Sequence, residues 1–117
     1  MPFKFEKLEI WQMAIEMANE VHLLTRDFPK EEIFSLTSQM KRAADSISLN
    51  IAEGSTGQTT PEFKRFLGIA VRSGIEVVGC IHIAKKRQII SDADFTRIYE
   101  AVDLLIKRIQ ALRKSLQ

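Results

Sequence analysis

The sequence contains few of the residues that cross-link a chain or interrupt its secondary structure. Cys80 is the single cysteine, so no disulfide can form within the chain. Five glycines and three prolines among 117 residues exclude collagen-like repeats and a disordered composition. Residues 1–7 contain no apolar run typical of a signal peptide, and no stretch approaches the roughly 20 uncharged residues that span a bilayer. We therefore expect a cytoplasmic protein that does not associate with membranes.

Residues that carry enzyme chemistry are equally scarce. With two histidines and one cysteine, a closed zinc site is implausible. A di-iron bundle needs paired Glu-x-x-His motifs, and neither His22 nor His82 has a glutamate three residues before it. Phosphate-binding loops, nucleophile elbows and dinucleotide fingerprints do not occur. We expect no catalytic residues, no metal, no cofactor and no enzyme activity.

The composition that remains, 45% hydrophobic and 27% charged residues, is that of a globular domain, and the length fits one domain over residues 1–117. Apolar residues recur at three- and four-residue steps in each of four segments, which is the period of a helix. The predicted helices cover residues 5–26, 36–53, 61–87 and 92–116. The predicted core of the first contains Leu8, Trp11, Ile15, Ala18 and Val21.

Capping signals separate these segments. Pro29 stops the first helix, and the loop from Gly54 to Thr60 separates the second from the third. The third begins at a cap that is either Thr59, paired with Glu62, or Thr60, and Ser91 caps the fourth. Short connections and a 3.5-residue repeat favour left-handed antiparallel packing. The sequence therefore predicts an all-α, antiparallel up-and-down four-helix bundle.

The third and fourth predicted helices carry more apolar residues than a lone bundle buries. Beside their core stripes lie further apolar side chains, where a surface helix is usually polar. These residues are the predicted subunit interface of a homo-oligomer: Ile69, Val71, Ile75, Val78, Ile83, Leu104 and Ile106. Scattered surface hydrophobes, which are common in monomers, are the alternative.

Several segments carry a family resemblance. They are residues 5–12 (FEKLEIWQ), 24–29 (LTRDFP), 36–44 (LTSQMKRAA), 46–54 (SISLNIAEG) and 62–67 (EFKRFL). In this order they resemble the 23S ribosomal RNA intervening-sequence proteins, also called the four-helix bundle protein family. The resemblance covers nearly the whole chain. Gly57 stands where many members carry arginine, and Arg72 where glycine is usual, so a basic surface cannot be transferred directly from one member.

The resemblance implies a bacterial protein that assembles as a ring-like homopentamer. Some members are encoded within inserts of bacterial ribosomal RNA genes, and one is the accessory protein of diversity-generating retroelements, associated with reverse transcriptase and nucleic acid. The resemblance therefore implies RNA or DNA, or a reverse transcriptase or another protein, as partners. Most members have no assigned biochemical role.

A polar stripe borders the predicted core of the second and third helices. Its members, several of them in the family motif, are Gln39, Arg42, Ser46, Asn50, Glu53, Glu62, Ser73 and Glu76. They form either a recognition surface or a hydrogen-bonded network that fixes the register of helices or subunits. The sequence leaves both interpretations open.

Basic residues follow the outer faces of the third and fourth helices. The candidates for nucleic-acid binding are Lys64, Arg65, Arg72, Lys86, Arg97, Lys107, Arg108 and Lys114. Repeated around an oligomer, they would attract phosphate without base specificity; a solvated helix face is the alternative. The sequence thus predicts a non-enzymatic oligomeric scaffold that binds nucleic acid or a nucleic-acid-processing protein. The alternative is a structural protein–protein interaction module.

Overall fold

The structure, a computed structural model, describes residues 3–57 and 59–116. The ends of the predicted 1–117 domain, and Gln58 in the predicted loop, lie outside these ranges. The described residues form four α-helices and no strand. The helices are α1 (Glu9–Thr25), α2 (Ser38–Ser55), α3 (Thr60–Lys86) and α4 (Asp92–Ser115). The all-α prediction is confirmed.

Contacts between helix ends establish the direction of each helix. The end of α2 meets the start of α3 where Gly54 packs on Phe66, and the start of α3 meets the end of α4 where Gly68 lies against Arg113. Arg108 near the end of α4 forms an ion pair with Glu9 at the start of α1. The helices therefore run alternately up and down, and α4 packs beside α1.

The first helix begins later than its periodicity predicts. Lys4–Lys7 form a separate 3₁₀ turn, because Leu8 has an extended backbone (φ −76°, ψ 126°) that interrupts the helix. The side-chain amide of Gln12 donates to the Glu6 carbonyl at 2.9 Å and secures this turn against α1. The predicted start at residue 5 is therefore four residues too early.

The connection from α1 to α2 is itself helical. A 3₁₀ turn, Lys30–Glu32, follows Pro29, and a π-helical turn, Ile33–Thr37, leads into α2. Arg87 at the end of α3 donates to both carboxylate oxygens of Glu32, at 2.9 and 3.1 Å. This ion pair holds the connection over the end of α3.

Side-chain and backbone caps define α3 and α4. The hydroxyl of Thr59 accepts from the Glu62 N–H at 3.2 Å, and that of Ser91 accepts from the Asp94 N–H at 3.0 Å. Thr59 is therefore the cap of α3, which settles the open alternative. At the other end of α3, the N–H groups of Gln88 and Ile89 donate to the carbonyls of Lys85 and Ala84. This is a Schellman motif, with Gln88 at the left-handed position (φ 61°).

The buried core follows the predicted stripes in three of the helices. In α3 and α4 the buried residues include Leu67, Ala70, Gly74, Val77, Ile81, Ile98, Val102, Leu105 and Ile109. In α2 they include Met40, Ala44, Ile47 and Ile51, and Leu36 is buried just before it.

The predicted stripe of α1 is partly wrong. Ile15 is 40% exposed, whereas Ile10, Ala14, Met17 and Val21 are buried. These four are also spaced by four and three residues, so α1 has apolar residues on two neighbouring faces. Ala18 and Val21 of the predicted stripe are buried as well, so the inward surface of α1 takes in parts of both faces.

By length and composition, α3 is apolar enough to cross a membrane, with a mean hydropathy of 1.6 over 18 residues. Of that window, 44% is buried within the chain. A core helix of a bundle has the same composition, because its apolar side chains face the other helices.

Candidate nucleic-acid interface and polar seam

Basic side chains that form no ion pair with the described residues gather where α3 begins and α4 ends. Lys64, Arg113 and Lys114, together with Gln110, line an open cavity of about 500 Å³. We call Lys64, Arg113 and Lys114 the basic end. A Cβ added at Gly68 would lie 2.9 Å from Nη2 of Arg113, so this guanidinium lies across the glycine. Among the described residues, the lining contains three cations and no carboxylate, which suits an anion.

Helix stability explains only part of the basic end. Arg113 and Lys114 lie in the last turn of α4, where cations complement the negative end of the helix dipole. Lys64 and Arg65 instead follow the first turn of α3, near the positive end of its dipole, where cations are not favoured. An anion bound at this end would interact favourably with Lys64, Arg65, Arg113 and Lys114.

The other predicted cations of α3 are spread along the helix. Arg65 lies over the ring of Phe66, 5.1 Å from its centroid, and Arg72 is exposed two turns further on. Lys86 lies at the opposite end of α3, 22 residues after Lys64 and therefore roughly 33 Å away along the helix. Arg65 and Arg72 can extend the basic end, whereas Lys86 is separate from it.

Three of the basic residues predicted to contact nucleic acid already form ion pairs with carboxylates of the same chain. Arg97 binds Glu20 and Asp94, Lys107 binds Asp103, and Arg108 binds Glu9. The hydrogen bond with Asp94 raises the pKa of Arg97, and that with Asp103 raises the pKa of Lys107. Arg97 and Arg108 connect α4 to α1, so their charges are already partly compensated.

The predicted polar stripe forms a seam between α2 and α3. Ser73, which is 8% exposed, donates its hydroxyl hydrogen to Oγ of Ser46 at 2.9 Å. The Asn50 amide donates to both Oγ and the carbonyl of Ser46, at 2.9 and 2.8 Å. Further along, the Gln39 amide donates to the Glu76 carboxylate at 3.3 Å. The seam joins α2 to α3 within one chain, which favours the register interpretation.

The remaining members of the stripe lie beside this seam. Arg42 donates to Oγ of Ser38 at 2.8 Å and so stays on α2. Glu53 is exposed near the end of α2, and Glu62 belongs to the first turn of α3. A Cβ added at Gly57 would lie 2.4 Å from Oε1 of Glu62, so this glycine leaves room for the carboxylate.

The predicted interface residues do not share one face. Val71 is buried within the chain, and the side chain of Ile106 lies against Gly74. Ile69, Val78 and Ile106 are half-buried. Substantial exposure remains at Ile75 (58%), Ile83 (41%) and Leu104 (47%). The first two lie on the outer side of α3, and Leu104 lines a groove between α4 and α1.

A second exposed apolar site lies outside the periodic segments. Phe34 is 97% exposed and Ile33 45% exposed, both within the π-helical turn before α2. The sequence gives no signal for it, because two consecutive apolar residues next to a proline turn are equally compatible with burial. Thr37, in the same turn, has a buried hydroxyl with no hydrogen-bond partner among the described residues.

The one cysteine lies in the core of α3. Cys80 is 2% exposed, and burial raises the pKa of its thiol, with the nearby Glu76 carboxylate raising it further. Within residues 3–57 and 59–116, histidine, cysteine and carboxylate side chains form no cluster of three that could hold a metal ion.

These features define an antiparallel four-helix bundle with a basic end and a polar seam. A family model described as 23S rRNA-intervening sequence protein matches residues 6–111. The chain therefore belongs to the family of 23S rRNA-intervening sequence proteins, as its motifs predict. None of the curated proteins matches the chain.

A solved structure has a similar fold. It is that of a protein of unknown function from the S23 ribosomal protein family of Bacteroides thetaiotaomicron, with 18% sequence identity to this chain. The match covers 91% of this chain and 99% of that one, with a TM-score of 0.81. At this identity the likeness shows the fold. Neither the family nor this neighbour is described as an enzyme.

Proposed function

We propose that this protein is a non-enzymatic oligomeric scaffold that binds nucleic acid through its basic end. The observation that carries the proposal is the cavity lined by Lys64, Arg113 and Lys114, to which the described residues contribute no carboxylate. Elsewhere on α4 the chain pairs its cations with its own acids, as Arg97 and Arg108 show. The unpaired set is therefore the part of the surface best able to exchange counterions for phosphates.

The binding would be electrostatic and without base readout. Three phosphate contacts predict that affinity falls roughly 20- to 40-fold between 50 and 200 mM salt. Exposed Arg65 and Arg72 on the same helix lengthen the path that a strand could follow. Copies of the basic end brought together by oligomerisation would add their contacts on one strand and raise the overall affinity.

Self-association is the second part of the proposal. Ile75, Ile83 and Leu104 are each at least 41% exposed, and burying one such side chain is worth about 1.5–3 kcal/mol. Light scattering over a wide dilution range tests this part. A particle that stays at 13.4 kDa throughout would overturn it.

Fluorescence anisotropy with labelled single-stranded RNA and DNA tests nucleic-acid binding. The test variant carries Lys64→Glu and Lys114→Glu and should lose most of its binding at 50 mM salt. A control with the same change in net charge, Lys85→Glu and Lys86→Glu, alters exposed residues at the opposite end of α3. That control should retain most of the affinity.

Two results would contradict nucleic-acid binding at the basic end. One is the absence of binding by the unaltered protein at low salt, and the other is an equal loss in the two variants. If the protein is an oligomer that binds neither RNA nor DNA, the structural protein–protein interaction module is the function that remains.

A further inference from the structure

Phe34 is the most exposed large hydrophobic residue described in the chain. Its side chain is 97% exposed, and Ile33 beside it is 45% exposed. The π-helical turn that holds both residues is a rare backbone form, found often at functional sites. An aromatic side chain this exposed gains most of its burial energy only when another surface covers it.

The surroundings of Phe34 are basic. Two grooves flank the π-helical turn and share His22, Ile33, Thr37 and Lys41 in their linings. Their charged lining residues are Arg26, Lys30, Lys41, Arg42 and the carboxylate Asp45. Asp45 already accepts from the His22 ring at 3.1 Å. A surface that covers Phe34 should therefore carry acidic groups.

An apolar groove with acidic groups runs along the seam between α1 and α4. Its narrower part, about 270 Å³, is lined by Met13, Met17, Ala101 and Leu104, with Glu16 and Glu20 as its charged residues. A wider part of about 490 Å³ continues past Leu104 towards Leu8 and Leu112. Its charged residues, Glu9, Lys107 and Arg108, all form ion pairs within the chain. Leu104 itself is 47% exposed between the two parts. The part of the chain that the structure describes leaves this groove open.

We infer that Phe34 of one copy of this chain inserts into the α1–α4 groove of a second copy. Methionine side chains adapt to an aromatic ring and make favourable sulfur–aromatic contacts, and here the half-buried Met13 would supply them. Glu20 is already bound to Arg97, whereas Glu16 forms no ion pair among the described residues. Glu16 would therefore face Lys41 and the other cations around Phe34, and this charge complementarity supports the same occupant.

This contact joins two different faces of the molecule. Each copy offers Phe34 at the α1–α2 connection and a groove at the α1–α4 seam, so the interface is head-to-tail. A head-to-tail interface closes into a ring when its rotation permits and otherwise forms an open chain. The inference rests on the proposed self-association and assigns the surfaces that produce it.

Cysteine cross-linking tests the contact directly. In a Cys80→Ala background, Phe34→Cys and Leu104→Cys proteins are prepared separately, mixed and oxidised. A disulfide should form in the mixture and in neither protein alone. Leu23→Cys serves as the control partner, because Leu23 is also 47% exposed but does not line the groove.

Equilibrium measurements provide a second readout. Phe34→Ala should weaken self-association at least about tenfold, because the lost burial is that of one large side chain. Leu23→Ala should leave self-association unchanged. Glu16→Lys should weaken it as well, and adding Lys41→Glu to that variant should restore part of the affinity.

The outcomes separate this inference from the proposed function. Two results would overturn the inference and leave the scaffold proposal standing. One is an oligomer in which the Phe34→Cys and Leu104→Cys proteins do not cross-link, and the other is a Phe34→Cys protein that cross-links to itself. A monomer at every concentration would overturn both the inference and the oligomeric part of the proposal. Nucleic-acid binding at the basic end is measured independently of either result.

Discussion

The hydroxyl of Ser73 on α3 donates to the hydroxyl of Ser46 on α2 at 2.9 Å, and Ser46 also accepts from Asn50. This link crosses the same helix pair as the exposed hydrogen bond from Gln39 to Glu76 but lies nearer the core. Because Ser73 is nearly buried, its hydroxyl has little access to water if Ser46 is lost. The two serines therefore stabilise α2 and α3 as a pair.

We predict that Ser46→Ala lowers the free energy of unfolding by about 1–3 kcal/mol, because it leaves the buried hydroxyl of Ser73 without its acceptor. The double variant Ser46→Ala, Ser73→Ala should cost less than the sum of the two single changes. Urea denaturation measures both, with Ser115→Ala, at an exposed hydroxyl, as control. Additive costs would contradict a coupled pair.

Gly54 permits the closest approach of α2 to α3. A Cβ at this position would lie 2.5 Å from Cβ of Phe66, which cannot move without its backbone. We therefore predict that Gly54→Ala lowers the free energy of unfolding by about 1–3 kcal/mol. At Gly79 no atom lies within 4 Å of an added Cβ, so Gly79→Ala should instead stabilise α3 by roughly 0.5–1 kcal/mol. Thermal or urea unfolding measures the change in the free energy of unfolding for both variants. Equal effects at the two glycines would contradict this packing.

Gln88 occupies the left-handed position of the Schellman motif that ends α3. Glycine adopts this conformation without the steric cost that a side chain imposes. Gln88→Gly should therefore raise the free energy of unfolding by up to about 1 kcal/mol. Chemical denaturation measures the change. Gln88→Ala, which lacks the long side chain but keeps the Cβ, should not reproduce the gain.

The raised pKa of Cys80 predicts a dependence of stability on pH. In the unfolded chain the thiol ionises near its ordinary pKa of about 8.5, whereas in the folded protein it stays protonated to higher pH. The contribution of this thiol to the free energy of unfolding is therefore full below about pH 8.5. It is lost as the pH rises towards the pKa of the thiol in the folded protein. The difference in unfolding free energy between the parent and Cys80→Ala should shrink between pH 7 and 10. A constant difference would contradict the prediction.

The sequence predicts the core of α3 and α4 well because one apolar stripe dominates each helix. The stripe runs without a break from Leu67 to Ile81 in α3 and from Ile98 to Ile109 in α4. The side chains along it are buried. In α1 two stripes compete, and Ile15 belongs to the one that stays outside. Periodicity measures spacing along one helix and does not reveal which face the other helices will cover.

The candidate sites depend more strongly on distant partners. The link of Ser46 with Ser73 could be predicted, because both positions border the core on consecutive helices. The pairing of Arg97 with Glu20 and of Arg108 with Glu9 could not, since the partners lie 77 and 99 residues apart. For the same reason, the sequence alone did not separate the unpaired basic end from cations already bound to acids.

That wide spacing in sequence has a consequence for how the molecule is made. The α2–α3 and α3–α4 hairpins involve neighbouring segments, whereas the α1–α4 seam closes only after almost the entire chain is in place. Closing so long a loop costs entropy before any contact is gained, so we expect this seam to form last and to open first. A second copy bound at this seam would stabilise the closed state. The fraction of molecules with an intact α1–α4 seam would then rise with protein concentration.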